Sequence, residues 1–208
     1  NGADPRMFDP NADGTAFCQA HHLEGKFVAL YAGAHGLSND LEVVLEAARR
    51  LQDRPDIAIV LLGDGKEKRN LMAKAAEMRL NNVIFASPVP KNEMPAAIAA
   101  CDACIAILKP IPLYATVYPN KVFDYMAAGR PVVLAIAGVI QEVVESAGAG
   151  IAVPPGNAQA LADAIRTLAE QPQEGLAMGM RGRQYIEQRF DRVTLAENLE
   201  KLFLEGNS

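Results

Sequence analysis

The chain has 208 residues, half of them hydrophobic, and its 25 acidic and 20 basic side chains give a net charge of −5. This balance argues against nonspecific nucleic-acid binding, because such binding depends on neutralising phosphates with a basic surface. No apolar run approaches the roughly 20 residues of a membrane span, and three cysteines are too few for a disulfide framework, so we expect a cytoplasmic protein.

The chain opens with a segment, residues 1–26, that is rich in Pro, Asp and Gly and shows no periodicity, which predicts a linker. After it, short apolar runs alternate with stretches in which apolar residues recur at helical spacing. The predicted strands are 27–32, 57–62, 83–85, 104–108, 132–136 and 150–153. The helices predicted between them are 41–51, 66–80, 92–100, a segment from about 119 to 129, and 140–147.

This alternation predicts an α/β fold, a Rossmann-like doubly wound parallel sheet of about six strands in a core of residues 27–156. Residues 157–208 then read as C-terminal helices of the same domain, at 158–170, 174–189 and 193–204. Cys101 and Cys104 have C-x-x-C spacing but no second pair or His cluster beside them, so we expect no metal and interpret them as small buried hydrophobic residues.

Glycines cluster in the loops that follow the predicted strands, at Gly33, Gly36, Gly63, Gly65 and Gly138. In a doubly wound sheet these loops lie beyond the carboxyl ends of the strands, where ligands bind. The sequence contains neither G-x-G-x-x-G after the first strand nor G-x-x-x-x-G-K-[ST], and it has no G-x-S-x-G. A dinucleotide-dependent dehydrogenase and a P-loop NTPase are therefore disfavoured.

The segment 118–133 reads as a loop, a helix, a stop and a strand, with its polar residues crowded at the helix start. Unpaired amides and the helix dipole suit an anion there, and Lys121 adds a positive charge. Asp124, one turn on, can accept two hydrogen bonds from a diol, so the segment suits a nucleotide. The alternative is that Lys121 and Asp124, at i and i+3, form a surface ion pair.

Several stretches, in this order, resemble the C-terminal donor-binding domain of GT-B-fold glycosyltransferases, most closely the retaining family 4 enzymes that make bacterial polysaccharides. Residues 1–10 are similar to the interdomain linker "NGVD…F.P", and 63–65 to "GDG". Residues 82–85 are similar to "NV.F", and 119–132 to "PSKLFEYMAAGKPV". The resemblance covers nearly the whole chain and implies one half of a GT-B fold.

The resemblance implies that Asp124 binds the ribose diol, that Lys121 and the amides of 120–122 face the diphosphate, as does the Gly33–Gly36 loop, and that backbone at 88–89 contacts the base. The residues assigned in this way, with the other loop candidates, are Gly33, His35, Gly36, Gly63, Pro88, Val89, Asn120, Lys121, Val122 and Asp124. It implies a nucleotide diphosphate sugar as substrate, with UDP favoured, no separate cofactor, and no Brønsted catalyst among these residues.

The sequence departs from the family pattern at two places. The first of the two acids that the fuller motif separates by seven residues falls on Thr116, which puts the usual contact to the donor sugar in doubt. The Arg and Lys that many members carry after the first strand are missing, and His35 and Asn39 stand in that region. Diphosphate charge would then rest on Lys121 and backbone amides, with help from His35 if it is protonated.

The resemblance also implies an N-terminal acceptor domain, absent here because the sequence starts at the linker without an initiator Met. We expect a half that binds a nucleotide but does not transfer sugar alone, from an enzyme that docks on the inner membrane. The last predicted helix would pack on the missing domain and permit self-association, through Leu195, Leu199, Leu202 and Phe203.

Two alternatives remain at this point. The chain can be half of a UDP-sugar 2-epimerase, which shares the GT-B fold, although the loops offer few acidic or His catalysts. It can also be a non-catalytic module of the flavodoxin or receiver type. A receiver needs paired acids at the end of the first strand, whereas this strand ends in Tyr31, Ala32 and Gly33. The base, the sugar and the acceptor are not distinguished by any residue.

Overall fold

The computed structural model describes residues 2–196, and its centre is a single parallel sheet. The strands are β1 Phe27–Ala32, β2 Ile57–Leu62, β3 Val83–Ala86, β4 Ala103–Ile107, β5 Val132–Ala135 and β6 Gly150–Ala152. Their order in the sheet is β3-β2-β1-β4-β5-β6. The first three strands are therefore added towards one edge of the sheet and the last three towards the other, and the boundary between β1 and β4 is the topological switch point. The predicted six-stranded doubly wound sheet is confirmed.

The helices are α1 Thr15–Ala20, α2 Leu41–Arg50, α3 Lys68–Glu77, α4 Met94–Ala99, α5 Asn120–Ala127, α6 Val139–Ala147, α7 Ala158–Glu170 and α8 Pro172–Arg189. Two 3-10 turns, Leu37–Asn39 and Pro112–Thr116, lie in loops. The helix predicted at 193–204 is described only as far as residue 196, with 192–196 helical and Leu195 40% exposed. The predicted contacts of Leu199, Leu202 and Phe203 lie outside the described residues.

The sheet is buried on both faces, which explains why its strands are apolar runs and not alternating patterns. Along β1, Val28 and Leu30 face the cluster beneath α5 and α6, whereas Ala29 and Tyr31 face the cluster beneath α2 and α7. The period-2 geometry of a strand thus divides one apolar run between two cores. Within residues 2–196, none of the helices has the length and apolarity needed to span a bilayer.

The first segment of the chain is more ordered than its composition predicts. It contains α1, and Ala3, Phe8 and Leu23 within it are buried. The segment interpreted as a linker from its composition thus contains a helix and buried apolar side chains. Asp13, whose side chain accepts from the amide of Thr15 at 2.9 Å, is a turn signal at the helix start that composition alone hides.

This segment is attached to the rest of the domain by the side chains of two arginines and by one isolated β-bridge. Arg183 on α8 donates to the carbonyls of Phe8 and Ala127, and Arg130 donates to that of Ala99 at 2.7 Å and of Pro10 at 3.4 Å. Because Ala3 also pairs with Asp191, the two ends of the described chain lie side by side.

The two cysteines of the C-x-x-C spacing are free and buried. Cys101 follows the end of α4 in the chain, and Cys104 lies in β4. Burial raises the pKa of both thiols. The Cys101 thiol donates to the carbonyl of Ala97 at 3.1 Å, one turn back in the chain. These features fit the interpretation of small hydrophobic side chains.

Candidate functional site

The site begins where β1 and β4 separate. β1 pairs with β2 along all six of its residues, but with β4 only at Ala29 and Leu30. Beyond this point the hydroxyl of Tyr125, on α5, accepts from the amide of Ala32 at 2.9 Å and donates to its carbonyl at 3.2 Å. The opening between the two carboxyl ends is the crevice in which ligands of such sheets bind, and α5 is anchored beside it.

The start of α5 is shaped by Pro119, which has φ −66° and ψ 120° and lies just before the first helical residue. Its carbonyl accepts from the amide of Val122 at 3.0 Å. The first turn of a helix leaves amides without intrahelical partners and carries the positive end of the dipole. Because Asn120 is exposed in this turn, an anion can approach it from solvent.

Lys121 extends from this turn to the end of β1. Its ammonium lies 4.0 Å from the centre of the Tyr31 ring, a cation–π contact. Burial lowers the pKa of Lys121 to about 8. In the part of the chain that the structure describes, neither Lys121 nor Asp124 enters an ion pair, so the alternative of a surface pair between them is wrong.

Asp124 faces a different space, a groove of about 530 Å³ that also contains Val89 and Asn120. The structure thus brings together three of the residues predicted to contact the nucleotide, with Val122 buried behind them and Pro88 exposed just before Val89. The remaining residues of its lining are Asp4, Met7, Phe8, Lys91, Met94, Arg192 and Val193. Burial raises the pKa of Asp124 to about 6, against the opposing charges of Arg192 and Lys91.

Two glycine loops meet above the sheet. Gly33 and Gly63 have φ of +144° and +145°, and a Cβ on Gly63 would lie 1.9 Å from the carbonyl oxygen of Gly33. A Cβ on Gly33 would in turn lie 2.7 Å from the ammonium of Lys121. Gly36 lies apart from the groove of Asp124, in a smaller cavity of about 180 Å³ beside α2 and α3.

His35 does not supply a positive charge, which corrects the expectation that it helps when protonated. Its side chain is fully buried, with the rings of Tyr31 and Phe85 about 6 Å away. Burial first, and then the charge of Lys68, lower its pKa to about 4, so the imidazole is neutral at physiological pH. Neither ring nitrogen has a hydrogen-bond partner within residues 2–196.

Two features of the groove escaped the sequence analysis. Lys91 follows a Pro-rich loop and carried no motif. Arg192 donates to the carbonyl of Gly2, and its amide donates to that of Ala3 at 2.9 Å, so the groove wall is built from both ends of the chain. Contacts across such a separation leave no local signal. At the family's first acidic position, the hydroxyl of Thr116 donates to the carbonyl of Leu113 at 2.9 Å, which ties it to its own 3-10 turn.

A six-stranded parallel sheet of this order has, at its switch point, an anion-competent helix start and a carboxylate without an ionic partner among residues 2–196. These features define the chain as a Rossmann-like domain with a candidate nucleotide site. The family comparison then identifies it more closely. Residues 26–171 match the family model "Glycosyl transferases group 1", and the chain belongs to that family. The flavodoxin and receiver alternative is therefore set aside.

Curated relatives are similar along most of this chain. WcaI of Escherichia coli, assigned to colanic acid biosynthesis as a glycosyl transferase, is 27% identical over 87% of this chain and 43% of its own length. The D-rhamnosyltransferase WbpZ of Pseudomonas aeruginosa is 26% identical over 72% of this chain and 38% of its own length. The chain thus spans less than half the length of these relatives.

Solved structures show the same fold. Anabaena Alr3699/HepE, crystallised with UDP-glucose, superposes with a TM-score of 0.84 at 24% identity, over 99% of this chain and 56% of that one. The C-terminal domain of the group 1 glycosyl transferase LpcC from Francisella tularensis superposes with a TM-score of 0.77 at 21% identity, over 92% of this chain and 100% of that domain.

Proposed function

We propose that this chain is the donor-binding half of a glycosyltransferase and binds a nucleotide diphosphate sugar across the switch point of its sheet. One observation carries the proposal: Lys121 and Asp124, on the first turns of α5, are a cation and a carboxylate without ionic partners among the described residues. A nucleotide supplies both missing partners, since its diphosphate is anionic and its ribose diol donates hydrogen bonds.

In this arrangement the ribose lies at Asp124 and the base lies further along the groove, near Val89 and Met94. The diphosphate lies at the start of α5, with Lys121 and the glycine loop at Gly33 beside it. The groove volume of about 530 Å³ is in the range of small-molecule sites. UDP is the favoured carrier, because HepE, which shares the fold, was crystallised with UDP and with UDP-glucose.

The chemistry that these residues offer is electrostatic. Sugar transfer leaves negative charge on the departing diphosphate, and a cation with oriented amides stabilises that charge without taking up a proton. Because the Lys121 ammonium lies against the Tyr31 ring and α5 is anchored by Tyr125, these groups are in place before the substrate arrives. No separate cofactor is part of this proposal.

The acceptor is expected to need residues outside this sequence, since the relatives are more than twice as long as the stretches they share with it. Incubation of the chain with UDP-glucose and candidate glycan acceptors should then give no transfer product. Robust transfer by the chain alone would contradict this part of the proposal. The free, buried thiols are compatible with the reducing cytoplasm, the proposed location.

The donor-binding proposal is tested by calorimetric or NMR titration with UDP, GDP and ADP. We expect one nucleotide to bind selectively, and Asp124→Ala to weaken it about tenfold or more, because a charge-assisted hydrogen bond contributes about 1.5–3 kcal/mol. Asp163→Ala removes an exposed carboxylate on α7 and is the matched control, with unchanged affinity expected. Failure of all three nucleotides to bind the folded wild type would refute the proposal.

A further inference from the structure

The ammonium of Lys121 lies between Gly33, which has no side chain, and the ring of Tyr31. It lies 2.7 Å from where a Cβ on Gly33 would be, so any side chain at position 33 would displace it. On its other side is the ring of Tyr31, 4.0 Å away at the centroid. The long Lys121 side chain therefore bridges the start of α5 and the end of β1.

Tyr31 cannot move out of this position without breaking other contacts. Its side chain is fully buried, and its hydroxyl donates to the carbonyl of Ala34 at 2.8 Å. Ala34 belongs to the same loop as Gly33, so one tyrosine fixes the loop through its hydroxyl and contacts the lysine through its ring. Buried aromatic rings have few accessible rotamers, and the face of the ring is the part that attracts a cation.

Among residues 2–196, no carboxylate forms an ion pair with the ammonium of Lys121. His35, on the neighbouring loop, is neutral, and Lys68 donates to the carbonyl of Gly63 at 2.7 Å. Asp124, on the same helix, faces the separate groove. A partly buried cation that contacts a ring, and no carboxylate of the described residues, is poised to gain a strong interaction from an arriving anion, because part of the cost of ordering and desolvating it is already met in the free protein.

We propose that Tyr31 is a positioning residue of the donor site, which holds the Lys121 ammonium and the Gly33–Ala34 loop ready for the diphosphate. This inference rests on the proposed function and adds a residue that does not itself touch the nucleotide. The loop after β1, Gly33-Ala34-His35-Gly36, contains no Arg or Lys. The ring of Tyr31 therefore places the Lys121 ammonium beside a loop that has no cationic Arg or Lys of its own.

The test compares UDP and GDP with the matched nucleosides uridine and guanosine, by NMR titration of the full chain. Tyr31→Leu should weaken the bound nucleoside diphosphate about tenfold and leave the nucleoside unchanged, whereas Tyr31→Phe, which keeps the ring, should stay within about threefold of wild type. On a Lys121→Met background, Tyr31→Leu should have no further effect, because the coupled pair is already broken.

A pH profile separates positioning from a merely structural role. Diphosphate affinity of the wild type should decline as the pH rises through about 8, because Lys121 loses its proton there. In Tyr31→Leu the freed lysine is better solvated, so the decline should move to higher pH, and in Lys121→Met it should be absent. If Tyr31→Leu folds and keeps both the wild-type affinity and the wild-type pH profile, the inference is wrong.

A measurement on the wild-type protein tests the inference even if Tyr31→Leu does not fold. The side-chain ε-CH₂ signal of Lys121, assigned by its loss in Lys121→Met, should show an upfield ring-current shift and should respond to the nucleoside diphosphate. An ordinary chemical shift with no response would overturn the inference. If none of UDP, GDP and ADP binds the wild type, the proposed function fails and the inference fails with it. If binding depends on Asp124 but not on Tyr31, the inference alone fails.

Discussion

Tyr125 and Ala32 are joined by two hydrogen bonds that replace a piece of the sheet. The tyrosine hydroxyl accepts from the Ala32 amide at 2.9 Å and donates to the Ala32 carbonyl at 3.2 Å, both fully buried. These backbone groups would otherwise need β4, from which β1 has already separated. One side chain therefore lets the sheet open at its switch point without leaving buried polar groups unpaired.

Replacing Tyr125 with Phe should lower the free energy of unfolding by about 1–3 kcal/mol, because the buried amide of Ala32 loses its acceptor while the ring volume is kept. Urea unfolding followed by circular dichroism measures this change. Tyr185→Phe removes a hydroxyl from a partly exposed ring on α8 and should change stability by less than about 0.5 kcal/mol. Equal effects of the two substitutions would show that the hydroxyl of Tyr125 is not a required partner.

Asp124→Asn should make the protein more stable and a poorer nucleotide binder. Burial raises the folded-state pKa to about 6 from the ordinary value of 3.8, so the charged form is disfavoured in the folded state, and stability is lost as the pH rises from about 4 to about 6. At pH 7 the amide should gain about 1–3 kcal/mol over wild type. Urea unfolding at pH 7 measures the change in stability, and a nucleotide titration measures the change in affinity. An Asp124→Asn variant that is less stable than wild type would contradict the predicted gain in stability.

His35 should make stability depend on pH in the opposite direction. Its pKa is about 4 in the folded protein and 6.5 when unfolded, so the unfolded state takes up the proton first, and stability falls as the pH drops from about 6.5 towards 4. Between pH 7 and pH 5 this group should cost about 2 kcal/mol. His35→Gln carries no such proton, so its unfolding free energy should fall less over the same interval. Parallel pH profiles for the two proteins would count against a buried neutral imidazole.

Gly63→Ala tests the close approach of the two glycine loops. The new Cβ would meet the carbonyl oxygen of Gly33 at 1.9 Å, in addition to the strain of a side chain at φ +145°. Gly25→Ala is the matched control, since Gly25 has φ +74° but nothing within 4 Å of an added Cβ. We expect a loss of about 1 kcal/mol for the control and clearly more, above about 2 kcal/mol, for Gly63→Ala. Equal losses in thermal or urea unfolding would mean that the loops can separate freely.

The helices and strands of this domain were predictable because their signals are local. The central strands are apolar runs buried on both faces, as Ile57–Leu62 shows. Helix α7, Ala158–Glu170, has an apolar stripe at helical spacing with Asn157 capping its start. Helix α1 was missed because it has only six residues, lies in a Pro- and Gly-rich segment and buries none of its side chains, so it leaves no apolar stripe in the sequence. Its Cys18 thiol contacts the carbonyl of Ala100 at 3.5 Å, a partner far away in the chain.

For the candidate site, local spacing predicted that Lys121 and Asp124 share one helix start, and the family resemblance implied that Val89 would contact the same ligand. Spacing also permitted an ion pair between Lys121 and Asp124. The fold decides against the pair, because Lys121 turns to the ring of Tyr31 and Asp124 turns to the groove beside Arg192. Likewise, the sequence presents His35 as a loop residue open to protonation, whereas packing buries it.

By itself, the sequence determined the α/β class, the six parallel strands and the helix start that suits an anion, since these depend on residue type at short periods. Only the tertiary structure decided which groups carry charge and where they point. The pKa values of Lys121, Asp124 and His35 are set mainly by burial, which arises from residues far apart in the chain. The groove wall formed by Arg192 and the first residues has the same origin, because contact across the whole length of a chain exists only once it has folded.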